Sequence, residues 1–99
     1  MTIRLGLFEF DHVVYDETAD VLYLSVGEPE EAARQEATPE GHVVRYHGDG
    51  NVIGITLVNA KWLGDRDGKI ELTVQVDADE LTPALTVRVG ADELAPALT

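Results

Sequence analysis

The chain has 99 residues, a net charge of −12 and no cysteine. This length suits one domain with a single core, and the lack of cysteine excludes disulfides, thiolate metal sites and a thiol nucleophile. The acidic charge argues against nucleic acid and anionic membrane as partners, and no apolar run approaches the roughly 20 residues of a membrane helix. Because no secretory signal is recognisable near the N-terminus, we expect one cytoplasmic domain over residues 1–99.

Apolar residues alternate through the first half of the chain, which is typical of half-buried strands. Strands are predicted at residues 12–15, 21–26 and 33–38. Residues 1–10 alternate more weakly and fit either an added edge strand or a poorly ordered leader. Asp16 can start a turn over residues 16–20 by accepting backbone hydrogen bonds. Residues 30–35 have a helix-favouring composition, but so short a segment needs packing to stay helical, so we favour the edge strand.

The stretch His42–Asn59 contains two extended apolar runs joined by a glycine-rich link at residues 48–51. Asp49-Gly50 between such runs predicts a β-hairpin with a two-residue type I′ turn, which needs positive φ at both central residues. The predicted pairs are Tyr46 with Ile53, Val44 with Ile55 and His42 with Leu57. The apolar face then holds Tyr46, Val44, Ile53, Ile55 and Leu57, and the mixed face holds His47, Arg45, Val43, Val52 and Thr56. A one-residue slip would exchange the two faces, so the register is well specified.

The C-terminal part of the chain combines strands with an internal repeat. In order, the pattern predicts a turn at residues 64–68, after the segment 60–63, and strands at 70–76 and 85–89. Residues 78–86 recur as residues 91–99 with eight of nine positions identical. Each copy can start a helical turn, the first through a capping box of Asp77 and Glu80, but a proline follows in both. One copy should therefore pack on the domain, and the second is a frayed tail or a contact for a neighbouring subunit.

Together these elements predict a mainly β fold that borders on α+β. We expect an antiparallel meander of four to six strands with a short helical turn near the C-terminus. A further strand and the repeat are expected over residues 70–99. A second, exposed face of the sheet offers a surface for a dimer or another partner, formed by Tyr23, Val21, Val43 and Val52.

Two blocks of residues resemble a known family. The first block is Tyr15-Asp16-x-x-Ala19-Asp20-x-Leu22-Tyr23-Leu24, and the second is Asp49-Gly50-Asn51-x-Ile53-Gly54-Ile55-x-Leu57-x-Asn59-Ala60. In order and spacing they are similar to the small-protein family catalogued as domain of unknown function 2283, over about residues 13–60. A minor departure is His47-Gly48 ahead of the turn, where the family has an acid or another short residue. The resemblance implies a small β-rich domain with no established activity, and companionship with small toxin-like proteins implies an antitoxin-like role.

The motif residues also have structural interpretations. Tyr15 and Tyr23 are at strand ends, where a ring can be buried while its hydroxyl stays wet. Asp16 and Asp20 fit turn and cap roles, and Gly54 in a strand indicates a close approach or a bulge. The complete motif set is Tyr15, Asp16, Ala19, Asp20, Tyr23, Asp49, Gly50, Gly54 and Asn59.

The signals for metal binding are incomplete. His42 and His47 are five residues apart, so on a strand they point to opposite faces and cannot share an ion without a bulge. Asp65-x-Asp67-Gly68 resembles a fragment of a calcium loop, but the further ligands of such a loop are missing, and a turn explains the pattern. We therefore expect no metal and no cofactor.

The signals for catalysis are equally sparse. His12 follows an aspartate and could be an oriented base, and Ser25 is the single serine but has no nucleophile elbow around it. Glycine-rich phosphate-binding motifs are absent from the sequence. The expectation is therefore a protein that is not an enzyme.

Negative charge is concentrated in residues 16–40, which hold eight acids and one base. A basic protein would be attracted to this stretch, and Glu28, Glu30, Glu31, Glu36 and Glu40 form the candidate contact surface. The first hypothesis is a protein-interaction module, in its narrowest form an antitoxin-like neutraliser of a basic partner. The alternatives are a homo-oligomeric structural domain, with a dimer favoured, and a small metal- or ligand-binding protein or enzyme built on His12, His42 or His47.

Overall fold

The computed structural model describes residues 2–5, 8–27, 32, 34–48, 50–74 and 85–98. The described strands are β1 (Ile3–Leu5), β2 (Phe8–Phe10), β3 (His12–Asp16), β4 (Val21–Ser25), β5 (Arg34–Ala37), β6 (Val43–Tyr46), β7 (Val52–Val58), β8 (Lys69–Val74) and β9 (Leu85–Gly90). The helices are α1 (Ala60–Asp67) and α2 (Ala91–Leu94), and a 3₁₀ turn follows at Ala95–Ala97. The predicted mainly β, antiparallel fold with a helical turn near the C-terminus is confirmed. Neither helix is long and apolar enough to cross a membrane.

The strands form one five-stranded antiparallel sheet and two separate hairpins. The order in the large sheet is β3-β4-β7-β6-β5, and the hairpins are β1–β2 and β8–β9. The chain thus departs from a strict meander at one point, because β4 pairs with β7 rather than with the next strand in sequence. The longest of these strands, β7, fills the centre of the sheet, and β5 lies at its edge as predicted.

The register of the central hairpin changes partway along its length. Val44 pairs with Ile55 as predicted, but Tyr46 pairs with Val52 instead of Ile53. The loop causes this shift, because the Gly50 N–H donates to the His47 carbonyl at 2.9 Å and the His47 N–H donates to the Asn51 carbonyl. Gly50 has a φ of 91°, as expected for the left-handed residue that ends a three-residue hairpin loop.

A bulge accommodates the extra residue of β7 and exchanges the faces of the sheet on which Val52 and Ile53 lie. The predicted two-residue turn is wrong, and so is the placement of Ile53 on the core face and of Val52 on the mixed face. Val52 packs against the core, whereas Ile53 is only partly buried and lies outside it. The physical reason is that one inserted residue reverses the alternation of faces on its side of the bulge.

The core lies between one face of the large sheet and the two hairpins. Fully buried residues of the sheet are Leu22, Leu24, Ile55 and Leu57. The β8–β9 hairpin contributes Ile70, Leu72, Val74, Val87 and Val89, so alternate residues of the strand predicted at 70–76 point inward in its described part. Residues 1–10, considered as a single edge strand or a leader, instead form a hairpin within their described part. Its reversal places Ile3 opposite Phe10, so both side chains reach the core from one face.

The helix α1 replaces the turn predicted for residues 64–68 and also includes the segment before it. Ala60 is fully buried, and Gly64 lies so close to α2 that an added Cβ would be 3.4 Å from the Ala91 Cβ. The helix ends at Gly68, which has a φ of 74° and donates its N–H to the Gly64 carbonyl. The turn prediction was wrong because the two glycines that indicated a turn are a packing contact and a helix C-cap.

The second copy of the repeat packs on the domain. Residues 91–97 form α2 and the 3₁₀ turn, and the side chains of Leu94 and Ala97 are buried in the core. The alternative of a frayed tail is therefore wrong for the described residues of this copy. Most of the first copy, including the capping box of Asp77 and Glu80, lies outside the described residues.

Candidate functional site

Two residues of the family-like motif, Tyr15 and Asp20, meet at the start of α1. The Tyr15 hydroxyl donates to Asp20 Oδ1 at 2.7 Å. The same carboxylate accepts the first free N–H groups of the helix, from Lys61 at 2.8 Å and from Trp62 at 3.0 Å. The Asp20 carbonyl accepts a further bond from the Ala60 N–H at 3.1 Å. Asp20 thus caps a helix that begins 40 residues later in the chain.

The backbone at both sides of this contact is left-handed. Asp20 has a φ of 56° and Asn59, the residue before the helix, has a φ of 58°. Asn59 makes no side-chain cap of its own, so the capping function belongs to Asp20. Asp16 supports the turn that presents Asp20, because its Oδ1 accepts the Ala19 N–H at 3.1 Å. Aspartate and asparagine tolerate positive φ better than most residues, which suits both positions.

The electrostatics of the Asp20 site favour the ionised carboxylate. Partial burial raises the pKa of Asp20, but hydrogen bonds from the Lys61 N–H, the Tyr15 hydroxyl and the Trp62 N–H outweigh it, and the pKa lies below its ordinary value. The hydrogen bond to Asp20 raises the pKa of Tyr15 to about 12. A carboxylate that accepts three bonds and a neutral phenol that donates one form a structural clasp. Neither group has the neutral-range pKa that suits general acid–base chemistry.

Gly54 lies beneath an arginine. A Cβ on this residue would collide with the guanidinium of Arg45, the residue that pairs with Gly54 across the strands next to the bulge. Arg45 Nη2 reaches the Leu24 carbonyl at 3.5 Å, a long contact, and its Nε is buried without an acceptor in the described part of the chain. Gly54 therefore makes room for a cation that the described residues bond only weakly.

The large sheet has a second face, on the side away from the core, which we call the outer face. Its side chains include Val14, Tyr23, Ser25, Val43, Arg45, Thr56 and Val58. All of these keep some contact with solvent, and Val14 and Tyr23 are exposed by 62% and 42%. Three of the four residues predicted for an exposed second face, Tyr23, Val21 and Val43, lie here. Val52 does not, because the bulge turns it toward the core.

Comparison with known families matches residues 12–61 to a model described as a protein of unknown function, DUF2283. The chain belongs to the DUF2283 family. The matched region of this DUF2283 chain runs from the start of β3 into α1, so it contains the large sheet and the Asp20 clasp. No curated protein and no solved structure matches the chain.

The glutamates of the predicted acidic contact surface that the structure describes already bond to other residues of the chain. Glu36 pairs with Arg34, with Nε and Oε1 at 3.4 Å. Glu40 accepts both the backbone N–H and the hydroxyl of Thr73, at 2.8 and 2.7 Å, and thereby fastens the β5–β6 turn to β8. Glu28, Glu30 and Glu31 lie outside the described residues, as does Asp49 of the motif. Both described glutamates therefore already have partners within the chain.

A cleft of about 320 Å³, which we call the His42 cleft, separates α1 from β8 and the β5–β6 turn. Its lining includes Glu40, His42, Leu63, Arg66, Lys69 and Ile70. The His42 side chain is almost entirely buried, with 1% exposed, and its Nδ1 accepts the Val58 N–H at 3.0 Å. Because a backbone N–H can only donate, Nδ1 carries no proton and the neutral ring is protonated on Nε2.

His42 should make folding stability depend on pH near neutrality. Burial lowers the pKa of His42, while Glu40 acts in the opposite direction. The unfolded chain therefore binds a proton on this residue more readily, and stability should fall as pH drops from about 7.5 through the ordinary value near 6.5. The fall is at most about 1.4 kcal/mol per pH unit and stops below the folded pKa. Urea unfolding across this range measures it.

The matched control for this prediction is His42→Asn, whose amide oxygen can still accept the Val58 N–H but does not titrate. This variant should lose the dependence near neutrality and keep the separate loss of stability below about pH 4.5, where carboxylates such as Asp20 and Glu40 are protonated. The same substitution at exposed His12 should leave the profile unchanged. An unchanged profile in His42→Asn would contradict the assignment.

The three histidines do not form a metal site. His12 lies at the start of β3, His42 is buried at the cleft, and His47 lies at the hairpin loop. Among the described residues, no three histidine or acidic side chains converge on a point that could hold a metal ion. Asp67, part of the supposed calcium-loop fragment, is in α1 and receives two hydrogen bonds from Arg66. Sequence reasoning placed His42 opposite Leu57 but missed its burial, because its partner Val58 is 16 residues away.

Proposed function

We propose that this DUF2283 chain is a protein-interaction module that binds a second copy of itself through the outer face. The observation that carries the proposal is a row of side chains that crosses all five strands. From one edge to the other the row is Val14, Tyr23, Thr56, Val43 and Ala37. A contiguous, largely apolar sheet face in contact with water is typical of a protein-binding surface, and two such faces can stack.

Charge favours the outer face as the place where two copies meet. The chain carries −12, but the described residues of this face carry one cation, Arg45, and one anion, Asp16. Two copies therefore approach with least repulsion through this face. A partner surface could also supply an acceptor to the poorly bonded Arg45 guanidinium, and arginine is enriched at interfaces for this reason.

The size of the face indicates a weak dimer. Five strands at about 4.8 Å spacing and about five residues each give a projected area of roughly 400 Å². Stable interfaces bury about 800 Å² of accessible surface per partner, so this contact lies at the low end of the range. We therefore expect a reversible dimer with a dissociation constant in the micromolar range.

Val14→Asp should weaken this dimer at least tenfold, because a carboxylate buried within a sheet–sheet contact loses its hydration. Sedimentation equilibrium over a concentration series measures the change. The matched control is Val26→Asp, since Val26 is exposed by 44% and follows β4 on the side of the sheet opposite Val14. A second variant, Val14→Lys, separates the loss of apolar contact from the addition of negative charge. Lysine makes the chain less negative, so a weaker dimer in this variant reflects the lost apolar contact.

Three results would contradict self-association through this face. The first is a wild-type monomer at high micromolar concentration. The second is equal weakening by Val14→Asp and Val26→Asp. The third is a dimer that weakens as salt is added, because screening should strengthen contact between two chains of net charge −12.

A basic protein partner is the second candidate, and the net charge of −12 is the observation that favours it. In this case the module would be an antitoxin-like neutraliser that uses the acidic surface. Binding would weaken with salt, which is the opposite of the behaviour expected for the dimer. A monomeric protein that retains a stoichiometric basic partner at low salt, and releases it at high salt, would favour this candidate over self-association.

A further inference from the structure

The His42 cleft contains a hydrogen-bond donor that the described residues leave without an acceptor. The ring uses Nδ1 for the Val58 N–H, and no group in the described part of the chain accepts from Nε2. The ring is buried except where it forms part of the cleft lining, so Nε2–H is the polar group that it offers there. Nε2 is not among the buried side-chain atoms that lack a partner in the described part of the chain, so it reaches the open space of the cleft, where a bound molecule can accept from it.

A carboxylate lines the same cleft as this donor. Both oxygens of Glu40 receive a bond from Thr73, which fixes the carboxylate in position as an acceptor in the cleft. Glu40 and His42 line the same cleft, and Leu63 and Ile70 add apolar surface to it. The cleft therefore offers one fixed donor, one fixed acceptor and an apolar wall.

The geometry excludes a metal ion at His42. A cation on Nε2 would need the ring proton on Nδ1, and that proton would point at the Val58 N–H. An anion is disfavoured because three carboxylates line the cleft, from Glu40, Asp67 and Glu71. The two cations of the cleft are already paired, Arg66 with Asp67 at 2.9 Å and Lys69 with Glu71 at 3.3 Å. A cationic ligand such as an amidinium carries donors only, so it would leave the Nε2–H donor without an acceptor.

We propose that the His42 cleft binds a small neutral molecule with an amide edge, in which a carbonyl oxygen accepts from His42 Nε2–H and the adjacent N–H donates to Glu40. The apolar part of the ligand lies against Leu63 and Ile70. A volume of about 320 Å³ accommodates a ligand the size of a single substituted ring, since one water in the liquid takes roughly 30 Å³.

Three probes of nearly equal shape test this proposal, namely benzamide, benzoate and benzamidinium. Each is titrated into the full ¹⁵N-labelled chain while the His42 ring and the Thr73 and Val58 amides are followed by NMR. Benzamide should cause saturable shifts of these signals, and the two charged probes should bind at least tenfold more weakly. His42→Asn, which removes the Nε2–H donor, should weaken benzamide binding at least tenfold, whereas His12→Asn should leave it unchanged.

Leu63→Phe provides an independent variant in case His42→Asn does not fold. The larger ring should fill the cleft and abolish the benzamide shifts without altering His42 itself. The proposal is overturned if benzamide causes no saturable shift, if benzoate or benzamidinium binds as tightly as benzamide, or if neither cleft variant weakens benzamide binding.

Discussion

Replacement of Asp20 by alanine should lower the free energy of unfolding by about 3 kcal/mol, a large part of the stability of a small domain. The carboxylate accepts hydrogen bonds from the Tyr15 hydroxyl and from the Lys61 and Trp62 N–H groups. A lost helix cap costs about 1 kcal/mol, and a bond to a charged group contributes about 1.5–3 kcal/mol. Alanine also adopts the φ of 56° at this position less readily than aspartate. Urea unfolding followed by circular dichroism measures the change.

Asp20→Asn separates charge from shape. Asparagine tolerates the left-handed backbone and keeps one acceptor oxygen, so we expect a loss of about 1–2 kcal/mol. Exposed Glu17, in the same turn, is the matched control, and Glu17→Ala should change stability by less than about 0.5 kcal/mol. A double-mutant cycle with Tyr15→Phe should reveal coupling between the two side chains. If Asp20→Ala is as stable as Glu17→Ala, the role of Asp20 in the clasp is contradicted.

The stability that the clasp contributes should fall both at acidic pH, through Asp20, and at basic pH, through Tyr15. The pKa of Asp20 is lowered, so its contribution to stability is present above the ordinary value near 3.8 and is lost as pH falls below it. The pKa of Tyr15 is raised to about 12, so its contribution is present below pH 10 and is lost as pH rises from there toward about 12. In Asp20→Asn, the late phase of tyrosine ionisation should therefore move to lower pH.

The sequence predicted the strands well because each strand reflects its own alternation. β8 shows this most clearly, since Ile70, Leu72 and Val74 are buried as their spacing requires. The edge position of β5 followed from its charged composition in the same way. These features depend only on neighbours along the chain, which are visible in the sequence.

The features that sequence reasoning missed depend on partners far away in the chain. The helix α1 was hidden because its N-terminal cap is supplied by Asp20, 41 positions before Lys61. The bulge in β7 was hidden because Asp49-Gly50 fits two hairpin loops that differ by one residue, and packing on both sides decides between them. Of the candidate sites, the outer face could be predicted apart from Val52. The His42 cleft could not, since three separate elements form it.

Leu94→Ala should lower the free energy of unfolding by about 3 kcal/mol, within the range measured for buried leucines that leave a cavity. Leu94 is completely buried, although its helix α2 has only four residues. So short a helix has no stability of its own, so packing must hold it in place. Leu98→Ala is the graded comparison, since Leu98 is only partly buried and should cost about 1 kcal/mol.

This prediction tests whether the second repeat copy completes the core of the DUF2283 domain. The family match covers residues 12–61, but the face of the large sheet that holds Leu22 and Leu57 is covered by chain outside that region. If the second repeat copy completes the core, a chain shortened after Gly90 should lose more stability than Leu94→Ala alone, because Ala97 is removed as well. Exposed Glu93 provides the control within the same helix, and Glu93→Ala should be nearly neutral. A Leu94→Ala variant as stable as Glu93→Ala would show that α2 merely rests on the surface, and the core would then have to be closed by other residues.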